Sequence, residues 1–379
     1  MKKSRLIFVD LLRGGALLVM IETHVFNTML VLQLRDTAWF HSLNFINGLV
    51  APSFLFVSGF VFIIVSRRKA EDFRTFGPDF WRQLRRIGLI WGIGYVLHLP
   101  YQSLNRIRAE ATPEDWLRFY QADILHCIAV GLVFLLISVI VIKSERVRRR
   151  VTLTVGLAIV LVTPFIWKMD FIQYVPAPIA AYFNEKHYSL FPLFPWLAYM
   201  LIGGAVASRY LEKRAGGQES VFIKRTVGIG GGLILLASLL SLLLVQHEYV
   251  SIGWRASPLF FAIRFGGVLL LLSACWYYAD RRATERSFVL DASRESLFVY
   301  AGHLVVIYSL SWRKLTLAKV YGKSFDPVQC LLATLALMAL MVPGAKLWGG
   351  LKQRSVTASR WAFYAFVAVL AVLFFVRGH

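Results

Sequence analysis

Long apolar segments follow one another along the chain and are separated by short polar stretches. A helix that crosses a bilayer needs about 20 mainly apolar residues. Eleven segments meet this requirement, with cores near 7–31, 46–66, 87–104, 124–142, 151–168, 190–208, 226–246, 258–278, 289–311, 327–348 and 361–376. The pattern predicts an all-α, polytopic integral membrane protein of about eleven transmembrane helices, because helices satisfy their own backbone hydrogen bonds in lipid. We expect one transmembrane domain over 1–379.

The composition supports a membrane protein over a soluble one. Of the 379 residues, 58% are hydrophobic and only 17% are charged, whereas soluble domains are about half apolar and a quarter charged. The net charge of +21 would suggest nucleic-acid binding in a soluble chain. In a membrane protein the same excess marks cytoplasmic loops. The composition therefore argues against a soluble enzyme and a DNA-binding protein.

The basic residues are distributed unevenly between the two sets of loops. Twenty-seven lysines and arginines fall in one set and 12 in the other. Because cytoplasmic loops are the richer in Lys and Arg, the N-terminus is predicted in the cytoplasm and the C-terminus outside. The first segment is assigned as a helix rather than a signal peptide, since Asp10 and Arg13 interrupt it and no small-residue cleavage site follows.

The three cysteines of the chain offer no obvious chemistry. Cys127, Cys275 and Cys330 all fall in or near predicted helices. This placement indicates neither a disulfide framework nor a metal site. We therefore expect no metal cofactor.

The first predicted helix contains four ionisable residues: Asp10, Arg13, Glu22 and His24. Such groups are costly inside a bilayer and are functional candidates. Eleven residues make three helical turns plus about 20°, so Arg13 and His24 share a face at a separation of about 16 Å. Asp10 lies one turn before Arg13 and can pair with it. Glu22 lies about 180° from Arg13 and faces another helix or a different cavity.

This polar face allows more than one interpretation. An arginine suits phosphate or carbonyl oxygens, but Arg13 can equally be an interfacial side chain paired with Asp10. A histidine can act as a general base or as an acyl-accepting nucleophile. His24 can also be a hydrogen-bonded core residue without a chemical role.

Five stretches of the chain carry a resemblance to known proteins. The stretch VDLLRGGALLVMIETH resembles the first helix of the transmembrane acyltransferase superfamily, and Arg13 and His24 fit the arginine–ten residues–histidine motif of its type 3 family. Four further stretches resemble bacterial members of the heparan-alpha-glucosaminide N-acetyltransferase-like group. They are APSFLFVSG, ILHCIAVGL, FPLFPWLAYMLIGG and SLFVYAGHL. Together these stretches span nearly the whole chain.

The resemblance implies an eleven-helix acyltransferase of the bacterial cytoplasmic membrane. It implies transfer of an acyl group, usually acetyl, from cytoplasmic acyl-CoA to a sugar or glycan hydroxyl or amine on the far side. His24 falls on the catalytic histidine of the type 3 family. In the heparan-type enzymes that position resembles an asparagine, and the catalytic histidine precedes the second helix, where His41 is the nearest match. Both histidines are therefore candidate catalysts.

The remaining candidates fall into donor-binding and acceptor-binding sets. Acyl-CoA is anionic, so its expected contacts are Asp10 and Arg13 with the cytoplasmic residues Arg67, Arg68, Arg85 and Arg86, although any cytoplasmic loop is basic. The expected acceptor contacts are Asn47, His126, Trp196, Arg264 and His303. Structural roles compete for several of these residues. They are a helix–helix hydrogen bond for His303, an interfacial anchor for Trp196 and a carboxylate pair for Arg264. Asp123, three residues before His126, can be a helix N-cap.

A general-base histidine is favoured over an acyl-histidine intermediate, because it needs only one histidine between two substrates. The main rival function is a transporter or exporter of a small glycan or lipid precursor. A transporter would share the polar face, but it often shows internal repeats, which this sequence lacks. Besides the bilayer, acyl-CoA and the glycan, a homodimer partner is left open, and no nucleic acid is expected.

Overall fold

The computed structural model describes residues 6–244, 254–282, 287–309 and 316–376. These residues form helices throughout, and no strand is present among them beyond an isolated bridge between Leu30 and Phe325. The α-helices are α1 (Ile7–Met29), α2 (Ala38–Asn47), α3 (Val50–Ser66), α4 (Ala70–Arg74), α5 (Pro78–Leu97), α6 (Leu104–Glu110), α7 (Pro113–Phe119), α8 (Ile124–Val141), α9 (Glu145–Lys168), α10 (Ala177–Ala180), α11 (Leu193–Ala215), α12 (Glu219–Val221), α13 (Gly230–Leu244), α14 (Pro258–Arg281), α15 (Phe288–Arg294), α16 (Ser296–Leu304), α17 (Leu317–Val320), α18 (Pro327–Arg354) and α19 (Val356–Val376).

Seven helical segments in the described ranges are long and apolar enough to cross a membrane. They are Ala38–Ser66, Ile124–Val141, Glu145–Lys168, Glu219–Leu243, Pro258–Arg281, Pro327–Arg354 and Val356–Val376. The chain is therefore a polytopic helical membrane protein, as predicted. The other predicted segments coincide with α1, α5, α11 and the α15–α16 region. The count of eleven transmembrane helices and the orientation of the termini stay predictions.

The chain divides into two compact units. The first unit comprises 1–50, 99–116 and 282–379, and the second comprises 51–98 and 117–281. Each unit draws on distant parts of the sequence, so neither is a simple N-terminal or C-terminal half. A single transmembrane domain over 1–379 stays a prediction.

In the first unit, α1 is held at both ends by residues far along the sequence. Near its start, Gly14 lies so close to α15 that a Cβ atom there would stand 2.1 Å from the carbonyl oxygen of Val289. At its end, the Phe325 amide donates to the Met29 carbonyl at 2.8 Å. Buried apolar side chains around this end form one cluster, with members Val25, Phe26, Met29, Leu30, Phe40, Ile307 and Cys330. These contacts fix the direction of the polar face of α1.

The ninth predicted segment is not one continuous helix. It divides into α15 and α16 at Glu295, whose backbone angles of −115° and 44° leave the helical region, and it continues as a π-helix over Val305–Ser309. The Glu295 carboxylate accepts a hydrogen bond from Lys352 of α18 at 2.5 Å. Residues 310–311 of the predicted segment lie outside the described residues.

In the second unit, α3 and α11 approach each other through paired glycines. A Cβ atom at Gly59 would lie 1.9 Å from the carbonyl oxygen of Met200. A Cβ atom at Gly203 would lie 2.3 Å from the carbonyl oxygen of Phe56. Small residues allow the backbones of membrane helices to come close and pack by dispersion contacts. This crossing therefore depends on the absence of side chains at two positions.

Candidate functional site

The polar face of α1 begins at the partly buried guanidinium group of Arg13. Arg13 Nη2 donates to Asp10 Oδ1 at 2.8 Å, and Arg13 Nε donates to Ser293 Oγ at 3.0 Å. Ser293 is fully buried on α15. The predicted pairing of Asp10 with Arg13 is confirmed, and the same arginine also joins α1 to α15. The contact of Asp10 and Arg13 with acyl-CoA stays a prediction.

His24 lies further along the same face and meets two aromatic residues from the chain after α15. Its ring centroid lies 5.2 Å from that of His303, and its Nδ1 atom lies 3.2 Å from Tyr308 Oη. The Thr28 hydroxyl, one turn along α1, lies 2.7 Å from the same Tyr308 oxygen. Arg13 and His24 thus both contact the 287–309 region, as expected for residues that share a face.

His303 is fully buried and held by its own helix. Its Nδ1 atom lies 2.8 Å from the Val299 carbonyl oxygen, which can only accept, so Nδ1 carries the proton. In the neutral ring the lone pair is then on Nε2. That atom is buried and has no hydrogen-bond partner among the described residues. The observed bond lies within one helix, so it differs from the helix–helix bond considered above.

Glu22 projects away from this pair, toward the C-terminal end of α2. Glu22 and His24 are two residues apart and so point about 200° away from each other. Asn47, the last residue of α2, approaches the Glu22 carboxylate and is only 6% exposed. Glu22 Oε1 and both amide atoms of Asn47 are buried without a hydrogen bond of normal geometry to the described residues. Such atoms call for a polar ligand or water.

His41 is placed differently from His24. It lies within α2, not in a loop, and its side chain is on the exposed side of that helix. Asn47 and Phe40 occupy the buried side of the same helix. The structure therefore brings His24 and His303 together, whereas His41 is exposed on α2. Neither catalytic assignment is tested by this placement, and both stay predictions.

The four donor-binding arginines that were predicted to be cytoplasmic lie in the second unit. Arg67 and Arg68 follow the end of α3, and Arg85 and Arg86 lie on α5, and all four side chains are exposed. Arg67 is paired with Glu145 at 3.0 Å. It also lines an open cavity of about 550 Å³ with Ser144, Glu145, Arg146, Arg149, Ser208, Glu212 and Ala215. Contact of these arginines with acyl-CoA stays a prediction.

Asp123 and His126 form the N-terminal cap of α8. The Asp123 carboxylate accepts from the backbone amides of Leu125 and His126, and Asp123 Oδ1 lies 2.9 Å from His126 Nδ1. The N-cap role of Asp123 is confirmed. His126 is fully buried, and its ring lies so near α5 that a Cβ at Gly94 would be 2.7 Å from its Cε1 atom. Contact between His126 and the acceptor stays a prediction.

Trp196 and Arg264 are both buried in the second unit. The Trp196 ring lies 4.9 Å from the ring of Phe191, and the Arg255 guanidinium lies 5.5 Å from its centre. The Arg264 guanidinium lies 5.4 Å from the ring centre of Phe260. Aromatic neighbours therefore surround both residues, and their proposed contacts with an acceptor stay predictions.

Sequence reasoning missed three residues of the site, namely Thr28, Ser293 and Tyr308. Thr28 follows His24 by four residues and so lies on the same helical face, which is a signal that the sequence did contain. Ser293 and Tyr308 carry no such signal, because their partners on α1 are about 280 residues away. Among the described residues, no group of three or more His, Cys, Asp and Glu side chains could hold a metal ion.

These features define a class, a polytopic membrane protein in which a polar helix presents a histidine to a second, buried histidine. The model of the catalytic family of heparan-alpha-glucosaminide N-acetyltransferase matches residues 5–246. The match covers more than half of the chain, so the chain belongs to this family. A comparison with individual curated proteins gave no match.

Family membership indicates a membrane acetyltransferase that acts on glycans, and enzymes of this type generally use acetyl-CoA as donor. The matched residues include His24, His41 and Asn47. His303 and Tyr308 lie beyond the matched residues. Their place in the site therefore rests on the geometry of the first unit alone.

Proposed function

We propose that the chain transfers an acetyl group from cytoplasmic acetyl-CoA to a hydroxyl or amine of a sugar or glycan on the opposite side of the membrane. The observation that carries this proposal is the family match over 5–246. The His24–His303 pair supports it, since ionisable residues within the helices of a membrane protein mark a functional site, and here a histidine of α1 lies beside a buried histidine of α16. We place the protein in the bacterial cytoplasmic membrane, with its N-terminus in the cytoplasm.

In the proposed reaction His24 acts as the general base. The acceptor oxygen or nitrogen attacks the thioester carbonyl while His24 takes the acceptor's proton. The carbon–sulfur bond then breaks, and the CoA thiolate leaves and takes a proton to become the thiol. The products are the acetylated acceptor and free CoA. His303 lies beside His24 and orients the acceptor.

The donor and acceptor are expected to meet different sets of residues. Arg67, Arg68, Arg85 and Arg86 are exposed cations and can attract the phosphates of acetyl-CoA. Asp10 and Arg13 lie toward the predicted cytoplasmic end of α1 and are proposed to contact the acyl arm. Asn47 has an unsatisfied amide and is proposed to bind acceptor hydroxyls. His126, Trp196 and Arg264 are the further acceptor contacts that we propose.

The direct test is transfer from radiolabelled acetyl-CoA to glycans in membranes that contain the wild type or a histidine variant. If His24 is the base, His24→Ala should lower transfer by about 100-fold or more, and His41→Ala should retain most activity. The reverse pattern would assign the base to His41. The control is His187→Ala, because His187 pairs with Asp170 in the second unit and is not part of the proposed site.

Two further outcomes would reject larger parts of the proposal. If neither His24→Ala nor His41→Ala lowers transfer, the catalytic assignment is wrong. If wild-type protein neither transfers acetyl nor hydrolyses or binds acetyl-CoA, the acyltransferase proposal fails and a glycan transporter becomes the better description.

A separate experiment distinguishes a general base from an acyl-histidine intermediate. Purified protein is mixed with labelled acetyl-CoA without acceptor, quenched, and separated from free label. A general base leaves the protein unlabelled, whereas a covalent route leaves label on the wild type but not on His24→Ala. Label on the wild type that depends on His24 would replace the general-base mechanism with the covalent one.

A further inference from the structure

Tyr308 joins two residues of α1 through one hydroxyl group. Its Oη atom lies 3.2 Å from His24 Nδ1 and 2.7 Å from Thr28 Oγ1. His24 and Thr28 are one helical turn apart and face the same way. A single phenol oxygen therefore bridges two successive turns of the polar face. The Tyr308 ring also meets the His24 ring edge to face, with centroids 5.8 Å apart.

The π-helix over Val305–Ser309 explains why Tyr308 reaches His24 together with His303. Positions five residues apart point about 140° away from each other in an α-helix. In a π-helix the hydrogen bonds run from i to i+5 and each residue turns through a smaller angle, so positions five apart come closer to the same face than in an α-helix. His303 and Tyr308 are five residues apart, and the change of helix type directs both toward His24. Such π segments are frequent at functional sites.

The hydrogen bond to Tyr308 makes the two nitrogens of His24 unequal. General-base action at Nε2 requires the ring proton to be on Nδ1, so that Nδ1 donates to Tyr308 Oη and the phenol in turn donates to Thr28 Oγ1. In that arrangement Nε2 holds the lone pair and is the nitrogen that is available to an acceptor. The two ring nitrogens of His303 differ in the same way. Its Nδ1 is bonded to the Val299 carbonyl, and its Nε2 is not bonded to a described residue. Both rings are therefore held through Nδ1.

We propose that Tyr308 is a positioning residue, held by Thr28, that fixes the ring of His24 through Nδ1 and reserves Nε2 for the acceptor proton. This inference rests on the proposed function, since it assigns an orientation to the proposed base. Residues that orient a functional histidine through its second nitrogen typically contribute about 10- to 100-fold to its site. Tyr308 acts through His24 and does not itself need to contact a substrate.

The kinetic test uses Tyr308→Phe, Thr28→Val and the double variant. Tyr308→Phe keeps the ring and removes Oη, and we expect kcat to fall about tenfold while KM for acetyl-CoA stays unchanged. Thr28→Val should lower kcat by a smaller factor. Because Thr28 acts through Tyr308, the double variant should be no slower than Tyr308→Phe alone. If the fold-loss of kcat in the double variant equals the product of the two single fold-losses, Thr28 does not act through Tyr308. That result would overturn the proposed series of hydrogen bonds from Thr28 through Tyr308 to His24.

The first unit supplies a matched control for each substitution. Tyr321→Phe removes a hydroxyl from an exposed tyrosine for which the structure describes no side-chain hydrogen bond. Thr23→Val removes a hydroxyl on α1 that donates to the Val19 carbonyl of the same helix. Both controls should keep wild-type kcat. A loss in Tyr321→Phe equal to that in Tyr308→Phe would mean that the tyrosine effect is a general one on folding.

A spectroscopic arm tests the orientation of His24 without activity. Protein labelled with ¹⁵N-histidine in lipid nanodiscs gives the tautomer of His24, assigned by its absence in His24→Asn. We expect a single tautomer in the wild type and a mixture in Tyr308→Phe. A mixture already present in the wild type would overturn the proposal. If wild-type protein shows one tautomer but no acetyl transfer, the proposed function fails while the positioning of His24 stands.

Discussion

A partly buried arginine in an apolar helix needs polar partners, and Arg13 bonds to residues on two different helices. The guanidinium group offers several donors in a fixed plane. One nitrogen bonds Asp10 on the same helix, and another bonds Ser293 on α15. The charge of Arg13 is therefore balanced locally, while its geometry links α1 to α15.

Arg13→Lys tests whether this geometry matters beyond the charge. Lysine keeps the positive charge but lacks the planar fork, so it cannot replace both bonds. We expect the thermal midpoint in detergent to fall, with a loss of about 1–3 kcal/mol in the free energy of unfolding. The matched control is Arg106→Lys at a surface pair with Glu110, where the loss should be below about 0.5 kcal/mol. Equal shifts in the two variants would contradict a special role for the Arg13 geometry.

A second residue-scale prediction concerns pH and lies outside the membrane helices. The hydrogen bond from His187 holds the pKa of Asp170 below its usual value. A carboxyl whose pKa is lowered on folding contributes stability above its unfolded pKa of about 3.9, and this contribution is lost as pH falls through the folded value. The difference in thermal midpoint between the wild type and His187→Ala should therefore be present at pH 5 and shrink as the pH falls to 3. A difference that is constant across this range would contradict the linkage.

At the scale of the helices, α1 supplies Arg13, His24 and Thr28 to the site and packs closely against α15 near its start. The sequence predicted its length and its polar face, because both follow from the spacing of apolar and polar residues along one helix. It did not predict the close contact with α15, since nothing in the local pattern distinguishes Gly14 from Gly15. That difference arises only when a segment about 275 residues away packs against one of them.

Gly14 and Gly15 provide a paired test of this contact. A methyl group at Gly14 would lie 2.1 Å from the Val289 carbonyl oxygen, whereas nothing lies within 4 Å of a Cβ at Gly15. We expect Gly14→Ala to cost about 1–3 kcal/mol. Gly15→Ala should be neutral or should gain up to about 1 kcal/mol from helix propensity. Thermal midpoints in the same detergent measure both, and equal midpoints would argue against the close α1–α15 contact.

The ninth segment shows where helix prediction from sequence failed. An apolar run predicted one span over 289–311, but the structure breaks it at Glu295 and continues it as a π-helix after Leu304. The break coincides with a salt bridge to Lys352, 57 residues later. The local pattern of apolar and polar residues does not report a contact 57 residues away, so the sequence did not predict the break. The position of Tyr308 beside His24 follows from the altered helix and could not be predicted either.

At the scale of the whole molecule, the positions of the apolar segments were predictable and the tertiary contacts were not. Each of the eleven predicted segments overlaps a helical region of the described residues, with 245–246 and 310–311 lying outside those residues. Hydropathy alone reports where each segment lies. The resemblance to the heparan-alpha-glucosaminide N-acetyltransferase-like group is confirmed by the family match. The grouping of 1–50, 99–116 and 282–379 in one unit depends on contacts between distant segments and had no local signal.

The predicted orientation can be tested on the intact chain with terminal reporters. With an odd number of spans and a cytoplasmic N-terminus, the C-terminus lies outside. Alkaline phosphatase fused after His379 should therefore be active, and green fluorescent protein at the same position should be dark. Fusions after Arg67, in a loop predicted to be cytoplasmic, should give the opposite result. A fluorescent C-terminal fusion would contradict the eleven-helix topology.

The helix α19 consists of 21 mostly apolar residues, nearly all of them exposed in the isolated chain. Its length and apolar composition suit a membrane span, so we expect the hydrocarbon of the bilayer to surround it. A detergent that forms a thin or loosely ordered layer around the protein would leave part of the apolar surface of α19 in contact with water. The choice of detergent or lipid will then decide whether this last helix stays folded during purification, even where the residues around His24 are undisturbed.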